Sequence, residues 1–183
     1  GLDQTICSPT ATLSANTPLI GTGTWTVIAG TATVTTPASP TSGVTGLTTG
    51  VNTFRWTITN GTCTPSTDDI TINVDELPTA ADAGLDQTIC SPTATLAANT
   101  PLIGTGAWTV IAGGGAVTTA ASPTSGVTGL TTGVNTFRWT ITNGTCTPST
   151  DDITINVDQL PTTADAGLDQ TICSPTATLA ANT

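Results

Sequence analysis

The stretch GLDQTICSPTATL opens the chain at Gly1, returns at Gly84 and returns again at Gly167, at the same interval each time. A head-to-tail period of that length restricts the chain to an array of like modules rather than one globular body. The units are 1–83 and 84–166, followed by 167–183, the opening of a third. The chain therefore reads as a window onto a longer array. A unit of this size can close one small core, but an additional covalent staple is expected.

Charge and missing side chains exclude several function classes. Arg55 and Arg138 are the only basic residues against 12 acids, for a net charge of −10. Nucleic acid binding requires clustered cations that displace counterions from phosphates, and an anionic membrane surface requires them too, so neither partner is expected. His, Lys, Tyr and Met are absent. That removes the usual general base, the Schiff-base amine, the phosphate-loop lysine and the imidazole metal ligand, and the chain reads as no enzyme. No apolar run approaches the ~18 residues of a spanning helix, so no membrane insertion is expected in this window. Five cysteines fit an oxidising, extracellular setting.

Thr dominates, with 23 in positions 1–83, and β-branched side chains suit a pleated, half-solvated surface. Without a 3.6-residue periodicity and with frequent Gly and Pro, the reading is all-β. Within one unit the predicted strands are 3–7, 10–16, 24–29, 32–36, 42–48, 51–59 and a return strand from 62 to about 74. The strongest is VNTFRWTIT, whose alternation puts Phe54, Trp56 and Ile58 on a core face. Trp25 joins them, and Trp108, Phe137, Trp139 and Ile141 are the equivalents in the second unit. Asn60-Gly61 predicts a two-residue hairpin turn, and the parity of the return strand then demands a bulge in Pro65–Asp69. Seven short strands with regular turns predict tandem immunoglobulin-like β-sandwich domains. Asp75–Ala83, DELPTAADA, reads as a short acidic linker that keeps neighbouring modules close.

The second unit differs from the first at eight positions: Ser14/Ala97, Thr24/Ala107, Thr31/Gly114, Ala32/Gly115, Thr33/Ala116, Pro37/Ala120, Glu76/Gln159 and Ala80/Thr163. The cysteines allow two pairings. Within repeats, Cys7 joins Cys63 and Cys90 joins Cys146, leaving Cys173 for a partner outside the window. Across repeats, Cys63 joins Cys90 and Cys146 joins Cys173, leaving Cys7 over. The first is favoured, because Cys7 and Cys63 are expected at the pole of the last hairpin turn. Cys90 lies beyond the far end of the last strand, ~26 Å away, against a limit of ~7 Å between bridged Cα atoms.

Other candidates carry weaker readings. Asp75, Glu76, Asp82 and Asp86 offer oxygen ligands to Ca²⁺, but lack an alternating DxDxD pattern, and solvated linker acids are the preferred reading. Otherwise no cofactor is called for. Asn60-Gly61-Thr62 and Asn143-Gly144-Thr145 match a glycosylation sequon that the turn alone explains. Arg55 faces outward, with Asp68 as a candidate partner.

The combination AGLDQTIC, GTGAWTV, SPTSGVTGLTTGVNTFRWTITNGTC and DDITINV resembles the PKD-like, immunoglobulin-like repeats of very large secreted surface proteins of Bacteroidota. The likeness runs over the whole chain and is sharpest at FRWTITNGTC and DQTIC. It implies a β-sandwich, export by the type IX pathway, display at the cell surface as an adhesin or gliding-associated fibre, and a shaft role without catalytic residues. Expected partners are neighbouring repeats of the same chain. Other copies packed into a filament, or surface glycans and substratum bound by each repeat, are the alternatives.

Overall fold

The computed structural model of the chain describes residues 1–181, so the last two residues of the 167–183 fragment lie outside the described residues. Each of the two repeat units forms seven strands. The first unit contains β1 (Gln4–Ile6), β2 (Thr10–Ser14), β3 (Thr22–Ala29), β4 (Thr33–Val34), β5 (Thr41–Thr45), β6 (Gly50–Thr59) and β7 (Ser66–Val74). The second repeats them as β8 (Gln87–Ile89), β9 (Thr93–Ala97), β10 (Thr105–Ala112), β11 (Ala116–Val117), β12 (Thr124–Thr128), β13 (Gly133–Thr142) and β14 (Ser149–Val157). A four-stranded sheet, β1-β7-β6-β3, packs on a three-stranded one, β2-β5-β4, and the second unit copies this arrangement. The fold is all-β, two immunoglobulin-like, PKD-like sandwiches in tandem. Among the described residues no helix is long and apolar enough to cross a membrane.

The long strand β6 sets the core. Its alternation buries Asn52, Phe54 and Trp56 and leaves Thr53, Arg55 and Thr57 on the wetter face. Phe54 and Trp56 meet Trp25, Ile70 and Ile72 from their own sheet and Leu13 and Val44 from the other. Trp25 and Trp56 are cross-strand partners with ring centroids 5.2 Å apart, tilted by 47°. Gly23 lies directly over the Trp56 indole, where a β-carbon would overlap the ring. Trp108, Phe137, Trp139 and Ile141 occupy the equivalent core of the second unit. Ile58 is only partly buried, whereas Ile141 is fully buried.

The buried polar side chains are Ser42 and Asn52 in the first unit and Ser125 and Asn135 in the second. Asn52 is fully enclosed, donates from Nδ2 to the carbonyls of Thr48 (2.7 Å) and Gly50 (3.1 Å), and accepts the Thr48 N–H at Oδ1 (3.3 Å). It holds the β5–β6 connection against the core, and Asn135 does the same in the second unit.

The β6–β7 connection differs from the expected two-residue turn. The two strands stay in unbroken register from Gly50↔Val74 to Ile58↔Ser66, so Asn60–Pro65 form a longer connection and the Pro65–Asp69 bulge is absent. That connection already has the parity that sets Ile70 opposite Phe54, so no inserted residue is needed. Its tip is closed by the Cys63 N–H donating to the Asn60 carbonyl (3.1 Å), with Gly61 alone at positive φ. The irregularity lies instead in β3, between Val27 and Ala29, and leaves Ile28 half exposed.

The first strand is parallel to the last. Gln4 pairs with Ile72 and Ile6 with Val74, and Asp3 Oδ1 accepts the Thr71 N–H (2.8 Å) just ahead of them. That hydrogen bond holds the Asp3 carboxyl below the usual carboxylate range, and Asp86 is held the same way by Thr154. The register decides the chemistry at the module ends.

Candidate functional site

Cys7 is bonded to Cys146, with Cα atoms 4.9 Å apart across a sequence separation of 139. Cys63, Cys90 and Cys173 are free and exposed. Neither expected pairing forms: Cys7–Cys63 with Cys90–Cys146 is absent, and so is Cys63–Cys90 with Cys146–Cys173. The physical reason is the position of β1. The within-repeat pairing placed it beside the start of β7, close to the Asn60–Cys63 turn. It lies instead beside the last residues of β7, and the Asp75 N–H donates to the Ile6 carbonyl (2.7 Å). The length of β7, about 26 Å, therefore separates Cys7 from Cys63. Cys7 sits at the end from which the chain leaves for the second module, and there it meets the tip of the β13–β14 connection carrying Cys146.

Polar contacts clasp that tip around the bond. Asp75 Oδ2 accepts the Thr145 N–H (2.7 Å) and the Thr145 hydroxyl (2.9 Å), while Asn143 Nδ2 donates to the Glu76 carbonyl (2.6 Å). Cys146 Sγ lies 3.2 Å from the same carbonyl oxygen, and Cys146 is 6% exposed. The side chain of Thr79 then accepts two N–H groups of the β9–β10 loop, from Leu102 (2.9 Å) and Ile103 (2.8 Å).

The segment read as a linker is thus fastened along its length. Asn99 Nδ2 donates to the Ala80 carbonyl (2.8 Å), and the Ala81 N–H donates to Ser149 Oγ (2.8 Å). The Ala83 N–H donates to Asp151 Oδ2 (2.7 Å), and Ala83 is fully buried in the core cluster of the second module. The two sandwiches share a covalent cross-link, a clasped hairpin and a docked connecting segment. Such a joint resists bending where a polar spacer alone would permit it.

The remaining candidates have structural partners. Asp75 serves the joint, Asp82 Oδ1 accepts the Gly84 N–H (2.9 Å) and Asp86 Oδ1 accepts the Thr154 N–H (2.8 Å). Glu76 contributes its carbonyl, and among the described residues no cluster of three or more His, Cys, Asp or Glu side chains is placed to hold a metal ion. Arg55 pairs with Asp69 rather than Asp68, through two hydrogen bonds of 2.7 and 2.8 Å directly across the β6–β7 ladder, and Arg138 pairs with Asp152 identically. Each guanidinium holds its partner carboxyl below the usual range. The Asn143 amide is engaged at the joint, so a glycan there would displace it. Sequence reasoning did not single out Asn52, Thr79 or Asn99, and met Thr145 only as the last residue of a sequon. Only Asn52 carried a signal, a polar residue on the inward face of the strand with Phe54 and Trp56.

No family model matches the chain, and no curated protein does. Among solved structures, a PKD domain from the KIAA 1837 protein is 24% identical, with 45% of this chain and 91% of that one covered and a TM-score of 0.38. The insect immune protein hemolin is 12% identical over 86% of this chain and 45% of its own, with a TM-score of 0.48. Fibronectin(III)-like modules of Clostridium thermocellum CbhA are 12% identical over 86% and 90%, with a TM-score of 0.40. These are likenesses of fold and say nothing of ligand or partner.

Proposed function

We propose that this chain is part of the shaft of an extracellular surface fibre or adhesin, of the Bacteroidota kind that its sequence resembles, exported by the type IX pathway. Residues 1–83 and 84–166 are its load-bearing modules, and 167–183 begin another. The observation that carries this reading is the Cys7–Cys146 bond across the joint. A bond inside a sandwich stabilises that sandwich; a bond between sandwiches also fixes how one sits on the next and carries tension past both. That is the property a shaft needs and a chain of independent binding modules does not. The buried tryptophans support the same reading, because a sugar-stacking platform requires exposed rings. The proposed partners are neighbouring modules of the same chain, and no catalytic role is assigned.

Electron microscopy of the native fibre tests the proposal. Threads one module wide, with an axial repeat near the ~35–40 Å expected of strands of about ten residues, support it. Bundles with several chains in cross-section overturn it in favour of lateral assembly.

A further inference from the structure

We propose that Asn143-Gly144 is a deamidation site gated by the joint. A docked hairpin tip is held against the reaction, and a tip that leaves its socket converts to a form that no longer fits it. The inference rests on the occupied joint alone and not on the fibre reading.

The joint requires the dipeptide that is most open to this chemistry. Gly144 has a positive φ of 51°, and a β-carbon there would run into the Asp75 carboxylate. The docked tip therefore needs glycine after Asn143. Glycine also leaves its own nitrogen without a flanking side chain, within reach of the Asn143 amide carbon. Attack by that nitrogen on Cγ closes a cyclic succinimide. The side-chain nitrogen departs as ammonia, taking the proton of the Gly144 N–H with it. Water then opens the ring at one of its two C–N bonds, giving aspartate or isoaspartate. In sum one amide and one water become one carboxylate and one ammonium, with no oxidant or reductant.

Docking opposes the first step. Asn143 Nδ2 donates to the Glu76 carbonyl (2.6 Å), and the amide must turn from that oxygen to bring Cγ onto the Gly144 nitrogen. Asp75 Oδ2 accepts the Thr145 N–H (2.7 Å) and hydroxyl (2.9 Å), and the bond to Cys7 fixes Cys146, so the main chain cannot follow. The Asp75 carboxylate beside Gly144 also disfavours the negative charge that its nitrogen must carry to attack. The other tip, Asn60-Gly61, shows the same dipeptide without these restraints. Asn60 is exposed, and nothing stands where a β-carbon on Gly61 would lie.

Conversion spoils the fit. The Asn143 amide is a donor to the Glu76 carbonyl, whereas a carboxylate presents only acceptors to that oxygen, next to the charge of Asp75. Isoaspartate also adds a methylene to the main chain ahead of Thr145 and Cys146. The change runs one way: a docked module keeps its tip, and a tip left undocked loses its ability to dock.

The test incubates residues 1–183, with free thiols alkylated, at mildly alkaline pH and follows Asn60 and Asn143 by mass spectrometry of their peptides. Asn60 is expected to convert about tenfold faster, the factor that loss of one hydrogen bond before cyclisation supplies. In a chain carrying Cys146→Ser and Asp75→Ala, Asn143 is expected to approach the Asn60 rate. Near-ultraviolet circular dichroism reports that the tryptophans stay packed. Separately, Asn143→Asp is expected to move the reduction midpoint of Cys7–Cys146 to about a tenfold lower ratio of squared reduced to oxidised glutathione. Asn60→Asp is expected to leave it unmoved. Equal rates in the parent, an Asn143 rate unchanged by opening the joint, or an unchanged midpoint in Asn143→Asp overturns the inference. Each of these results leaves the shaft proposal to be judged by microscopy of the fibre.

Discussion

Tension applied between the chain ends runs along β1, crosses the Cys7–Cys146 bond and continues along β14, leaving the other strands of both sandwiches off the covalent path. Load passes from residue 7 to residue 146 through the sulfurs, and the sequence separation of 139 between them is taken off the path. At 3.3–3.6 Å per extended residue, that is about 460–500 Å of contour length which the oxidised chain cannot release. Cys146→Ser, or reduction of the parent, restores it. In single-molecule pulling with handles at the two ends, the variant is expected to unfold in two steps. Each frees one whole module, about 250 Å after subtracting its folded length. The oxidised parent is expected to reach its stiff limit with no step of that size. The within-repeat pairing has a different signature. Cys7–Cys63 and Cys90–Cys146 would each lock part of one module and leave two short steps of at most about 95 Å. Two full steps from an oxidised sample, or two short ones, would refute the intermodular bond and with it the load-bearing argument.

Four further outcomes are expected. In the chain-entropy estimate the bond closes roughly 70 residues when one module opens, worth about 4 kcal/mol, and 139 when both open, worth about 5 kcal/mol in all. The second module to open therefore keeps only about 1 kcal/mol of that support. Calorimetry is expected to show one cooperative transition for the oxidised parent and two for Cys146→Ser. Asn135→Ala removes a fully buried amide and strands the carbonyls of Thr131 and Gly133 and the N–H of Gly114 in a partly buried site, and is expected to destabilise the second module by about 2–3 kcal/mol in urea unfolding. Gly23→Ala pushes a β-carbon into the Trp56 ring and is expected to lower the first module's stability by about 1–3 kcal/mol, read by tryptophan fluorescence. Asp3, Asp69, Asp86 and Asp152 all have carboxyls held below their ordinary range by Thr71, Arg55, Thr154 and Arg138. Their stabilisation is complete above the unfolded value near ~3.9 and is lost as pH falls through the depressed folded values. Urea midpoints are expected to hold from neutral to mildly acid pH and fall below it, less steeply in Asp86→Asn.

The sandwich was legible because β6 is long. The run from Gly50 to Thr59 carries enough alternation to assign a face to every side chain, and the repeat says where one core ends and the next begins. β1 is only Gln-Thr-Ile, which is too short to encode its own register. Its position is set by the Asp3 carboxylate finding the Thr71 N–H, a contact between positions 68 apart for which neither residue type is diagnostic. The disulfide assignment depended on that register and failed with it. The linker was misjudged for a related reason. In DELPTAADA the buried residue is alanine, and Ala83 is enclosed because it is small and its N–H reaches Asp151, not because the segment is visibly apolar. The hairpin connection was read as a tight turn since Asn-Gly is the strongest short turn signal, but in the second module the same connection serves as a plug for its neighbour, and that use lies outside any one repeat.

A bond at every junction would change the mechanics of an array more than a bond in every module. With the joint repeated, Cys173 would be held to the hairpin of a later module as Cys7 is to that of the second. The shortest covalent route would then run along the backbone from Cys146 to Cys173 before crossing another bond. That stretch passes down β14, through the docked segment and along the next unit to its far end, so it spans two modules. Fully extended it reaches about 95 Å, against about 70–80 Å for two folded modules of roughly ten-residue strands. Such a shaft stretches by roughly a third at most, whatever force is applied short of breaking a covalent bond. The positions at which the two repeats differ fit this demand. At the joint only Glu76/Gln159 and Ala80/Thr163 vary, and both offer main-chain carbonyls to it, from Glu76 to Asn143 and from Ala80 to Asn99. The side chains that lock one module to the next are the same in both copies, because in an array each module must be plug to one neighbour and socket to the other.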